Sequence, residues 1–156
     1  MEYQVKELKE DYNVFAGEHG LPGFDELNVI FEIEKINRKS EILLKLVRKV
    51  MMEKIMNALS FLEMLLNPVN APRMYMAYVK MMSVEDKKIL DVLYGSFSEL
   101  SLESIGIEFK GSEKEEAELV KRIYKIWKEN EGNFGKIIDK VKVPSEEVKK
   151  ERGYFG

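Results

Sequence analysis

The chain has 156 residues, a mass of 18.2 kDa and a net charge of −3, with 45% hydrophobic and 34% charged residues. It carries no cysteine and one histidine. This excludes disulfide scaffolds, thiolate zinc sites, cysteine nucleophiles and any site needing two imidazoles.

Such a balance creates no global field for nucleic acid or membrane. The first residues, MEYQVKELKEDY, are too charged for a secretory h-region, so a cytoplasmic location is expected. The most apolar stretch, Ile55 to Leu66, is interrupted by Asn57, Ser60 and Glu63 and is too short to span a bilayer. Abundant Lys and Glu with a single glutamine, Gln4, fit a thermophilic source, while nine methionines and several asparagines argue against one.

Along the chain, Val5, Leu8, Tyr12 and Phe15 lie at steps of three and four and mark a helix. Gly17, Gly20, Pro22 and Gly23 then predict a loop over 17–23. A second helix is expected over Phe24 to Ile36, with Asp25 and Glu26 at its positive end. Ile30 to Ile33 is also compatible with a local strand.

Lys39 to Leu66 reads as the dominant helix. Its polar positions trace one stripe and the rest of its circumference is apolar, which places it at the centre of a bundle. Asn67-Pro68 ends it. Pro72 suits the start of a short helix to Met82. Ser83-Val-Glu-Asp86 resembles a capping box opening a helix to about Leu102, with Gly95 inside it. Ile105, Ile107 and Phe109 alternate with small or polar residues, which predicts a short extended connection. Ser112-Glu-Lys-Glu115 is a second capping box. Its helix is expected to stop near Asn130, before Gly132 and Gly135. A shorter helix, Asn133 to Val141, is expected to be closed by Pro144, and Ser145 to Gly156 forms a charged tail.

The reading is therefore one all-α domain over 1–156: a bundle of five to seven helices around a long central helix at about 39–66. There is no internal repeat.

Chemical motifs are sparse. The chain lacks the Glu-x-x-His pairs of di-iron bundles and the Gly-x-Ser-x-Gly of hydrolases. Gly132-Asn-Phe-Gly135-Lys136 resembles the end of a phosphate loop. However, Asn130 stands where the first glycine belongs, and Ile137 replaces Ser or Thr. Glu113 with Glu116, and Glu115 with Glu118, have helical spacing but read as first-turn acids beside a capping box. No loop has calcium-ligand spacing. No metal, cofactor or catalytic residue is assigned.

Three candidate surfaces remain. His19, with Glu18 beside it, is the sole imidazole base and defines a possible ligand loop at 17–23. Arg38, Lys45, Arg48 and Lys49 form a basic face for phosphates. Residues 1–34 hold two lysines and nine acidic residues, a balance of −7, and so could instead pack beside that face. Eight methionines fall between 51 and 82, and Met74, Tyr75, Met76 and Tyr78 crowd one short helix. Together with the terminal Tyr154 and Phe155, they suggest a partner surface, although methionine at this spacing also fills cores.

The expectation is a non-enzymatic helical interaction module, acting as a homo-oligomer or with a protein partner. A nucleic-acid accessory role through the basic face is the alternative. A small-molecule site or enzyme near the Gly17–Gly23 loop is the third.

Overall fold

The structure is a computed structural model. It describes residues 2–37 and 42–154, with side chains over 4–37 and 42–142. The described residues are all-α, with no strand among them: α1 (Glu2–His19), α2 (Phe24–Phe31), α3 (Leu43–Leu66), α4 (Arg73–Met81), α5 (Val84–Lys110) and α6 (Glu113–Tyr154). Short 3₁₀ turns lie at Ile33–Lys35 and Pro68–Asn70.

Contacts between named side chains set the topology. Arg48 meets Ser104 and Glu108, while Glu63, further along α3, meets Tyr94, earlier on α5. α3 and α5 are therefore antiparallel. Phe97 stacks on Trp127 and Asp86 meets Lys140, so α5 and α6 are also antiparallel. Arg48 meets Glu116 and Phe61 meets Phe134, so α3 and α6 run parallel. These three helices form the bundle. α4 closes on α3 and α6, α1 packs against the same pair, and α2 packs on α3 and sets Phe31 against Trp127 of α6.

α3 holds the centre, as its patterning requires. Leu44, Val47, Met51, Ile55, Leu62 and Leu65 are all buried. Trp127 organises the middle of the core, with Phe31, Phe97 and Phe134 rings about 6 Å from it.

Several boundaries differ from expectation. α1 continues through Gly17 and stops at His19. Gly20 takes a left-handed φ of 63°, and Leu21 N–H donates back to the Ala16 carbonyl at 3.0 Å. That is a Schellman closure, and Gly20 is the residue it needs. The loop is therefore shorter than 17–23. Next, α2 ends at Phe31 rather than Ile36. Glu32 adopts φ 55°, and Asn28 Oδ1 accepts from Glu34 N–H at 2.9 Å.

The extended connection at 105–109 is helix instead. Ser104 and Glu108, one turn apart on α5, both hold Arg48, so tertiary contacts keep α5 helical past Gly106. The two helices expected over 112–141 are one. Trp127, Phe134 and Val141 recur every seven residues and pack on the core, which overrides the helix-breaking tendency of Gly132 and Gly135. α6 also continues through Pro144 to Tyr154. No helix among the described residues is long and apolar enough to cross a membrane.

Candidate functional site

The basic face is taken up inside the bundle. Arg48 is 3% exposed and its donors are engaged. Nε donates to Glu116 at 2.5 Å, Nη1 to Ser104 at 2.7 Å and Nη2 to Glu108 at 2.6 Å. Burial alone would lower the guanidinium's pKa, but the hydrogen bonds to Glu116 and Glu108 outweigh it and raise the group above its ordinary value. Lys45 pairs with Glu108 at 3.1 Å, and Lys49 approaches the same carboxylate at 3.8 Å. Arg48, then Lys45, hold Glu108 below the usual carboxylate range. The neutralising acids Glu108 and Glu116 come from α5 and α6. Arg38 lies outside the described residues.

The methionine and tyrosine surface divides in two. Tyr78 is buried and Tyr75 is half-buried, with Tyr75 edge-on to Phe61 and to Tyr78. These two rings extend the aromatic core. Met74 and Met76 face solvent, as do Met56, Met64 and Met81. Phe155 lies outside the described residues, as does the Tyr154 side chain.

A more exposed apolar row lies elsewhere and was not singled out from the sequence. On α5 the inward stripe is Leu90, Leu93, Phe97 and Leu100. Leu102, Ile105 and Phe109 point away from it and are 70%, 54% and 81% exposed. Gly106 lies among them with no atom within 4 Å of where a Cβ would stand. At the rim, Arg122 ties up the carboxylates of both Glu99 and Glu103. The off-stripe position of three large apolar residues was the available signal.

His19 is the last residue of α1, not a loop residue. Its Nε2 lies 3.1 Å from Glu113 Oε1 across 94 positions of sequence. Glu18, His19 and Glu113 each place a ligand atom within 4.8 Å of the others. The Ser112 hydroxyl and Glu115 carboxylate cap α6 between themselves, so Glu113 is not the capping acid. From sequence alone Glu113 is simply a first-turn acid of α6.

Comparison with protein-family models, curated proteins and solved structures finds no match to this chain.

Proposed function

We propose that the protein is a non-enzymatic, cytoplasmic helical interaction module that works as an assembly of its own chain. The observation that carries this reading is the row Leu102, Ile105 and Phe109 around Gly106 on the outer face of α5. An apolar row on a rigid helix is exposed at a cost that a partner removes. A second copy suits it for three reasons. A two-fold axis through this region brings apolar side chains against apolar side chains. Gly106 lets two backbones approach closely where the helices cross. The rim carboxylates Glu99 and Glu103 are already paired with Arg122 and do not oppose a like surface.

Multi-angle light scattering across a concentration series tests this. The native chain is expected at twice its monomer mass. Leu102→Glu and Phe109→Glu are expected at the monomer mass with unchanged helicity, because neither side chain supports the core. A native chain that stays monomeric at every concentration, or variants that keep the native mass, overturns the reading.

A further inference from the structure

Three clusters outside the α5 row have chemical potential: the Arg48 network, the solvent-facing methionines of α4, and the junction of α1 with α6. The first is fully engaged in holding three helices together. Nothing in the structure says what covers the second. The third brings the chain's single imidazole onto two carboxylates, one next to it in sequence and one from the far side of the fold.

We propose that Glu18, His19 and Glu113 form a binding site for one divalent transition-metal ion of the zinc, cobalt or nickel class. The three ligand atoms lie within 4.8 Å of one another. Metal–ligand bonds of about 2.0–2.2 Å place cis ligand atoms about 3 Å apart, so small rotations of three terminal side chains converge on one centre. The backbone behind them is fixed: Gly20 closes α1 immediately after His19, and the Ser112–Glu115 box anchors the first turn of α6. The His19 side chain is 21% exposed and that of Glu113 45%, so the ion enters from solvent and water completes its coordination. The negative end of the α1 dipole and the positive end of the α6 dipole meet here and offset each other, so the three ligand side chains carry the site. The imidazole selects against magnesium and calcium, which prefer oxygen ligands alone. Because the ligands span two helices, the ion would clip the end of α1 to the start of α6. This assignment is independent of self-association.

The test is titration of untagged full-length protein with Co²⁺ and Zn²⁺, followed by cobalt d–d absorbance and calorimetry. One saturable equivalent with a nitrogen- and oxygen-ligated cobalt spectrum is expected. His19→Ala and Glu113→Gln should each weaken binding at least about tenfold, with circular dichroism unchanged. Should His19→Ala fold poorly, His19→Gln supplies the same measurement with a side chain of closer size. No stoichiometric uptake by the native chain, or His19 variants that bind as tightly as it does, overturns the site.

Discussion

Arg48 joins α3 to both of its long neighbours. It is buried on the core stripe of α3, and Glu116 is buried opposite it on the core stripe of α6. An ion pair taken out of water loses hydration that its mutual attraction roughly repays, provided every donor is satisfied. Here that condition holds: no buried side-chain nitrogen or oxygen among the described residues lacks a partner. The penalty therefore appears when one member is removed. Arg48→Met is expected to destabilise the fold by about 3 kcal/mol or more, because Glu116 is left buried without its cation. The double variant Arg48→Met/Glu116→Leu is expected to recover most of that loss and to approach the native stability. Urea denaturation of the two variants checks this, and equal destabilisation in both would show that packing around Arg48, rather than the stranded carboxylate, sets the cost. Both residues were marked in the sequence. Leu44, Arg48, Met51 and Ile55 follow one another at steps of four and three, as do Glu116, Val120, Ile123 and Trp127. A charge on a core stripe, matched by the opposite charge on another, is the signature of a buried pair. Reading Arg48 as part of a solvent-facing basic face overlooked its position on that stripe.

Gly95 within α5 and Gly111 just after it make opposite demands. Gly111 ends the helix, and a Cβ there would lie 2.5 Å from the Ile107 carbonyl oxygen. Gly95 lies mid-helix and exposed, with open space where its Cβ would stand. Gly111→Ala is expected to destabilise by about 1–3 kcal/mol, because the backbone must shift to admit the methyl group. Gly95→Ala is expected to stabilise by about 0.5–1 kcal/mol through the reduced entropy of the unfolded chain. Thermal midpoints moving in opposite directions would establish both. The pair also explains which helix ends were legible in advance. Helix starts marked by local chemistry, the Ser83 and Ser112 caps and Pro72, lie where the sequence puts them, whereas the stop expected at Pro144 does not, because α6 runs through it. Breaks inferred from glycine also fail, because Gly17, Gly132 and Gly135 sit in helices stabilised by distant packing. The alternation at 105–109 misled for a related reason. Ile107 packs on the core while Ile105 and Phe109 face outward, so alternate apolar residues reflect two faces of one helix rather than one face of a strand. Of the candidate site, His19 and Glu18 were visible as residue types. Glu113 was not, because nothing local to residue 113 indicates that α6 begins beside the end of α1.

Across the whole molecule, the carboxylates decide how the fold responds to acid. Asp86 is held below its ordinary value first by the backbone N–H of Ser83 and then by Lys140. Glu108 is lowered by Arg48 and Lys45, and Glu63 by Tyr94 and Asn67. A lowered folded value means that the folded chain binds fewer protons than the unfolded chain near the carboxylate range. The stability these groups contribute is therefore fully present above the unfolded values of about 4 and is lost as pH falls through the lower folded values. On the alkaline side, burial pushes the Tyr12 phenol upward, and it donates to the Pro22 carbonyl at 2.8 Å. A raised phenol gives the opposite dependence: its contribution holds below the unfolded value near 10 and disappears as pH rises through the folded one. The thermal midpoint should then form a plateau through neutrality, falling below about pH 4 and again above about pH 10. Asp86→Asn isolates one group from the rest. It keeps the shape of the Ser83 cap but removes the charge facing Lys140, so it should lower the midpoint at neutral pH and flatten the acid limb. Identical acid slopes in Asp86→Asn and the native chain would mean that the acid limb is set by the other carboxylates, with the Arg48–Glu108 pair the first to examine.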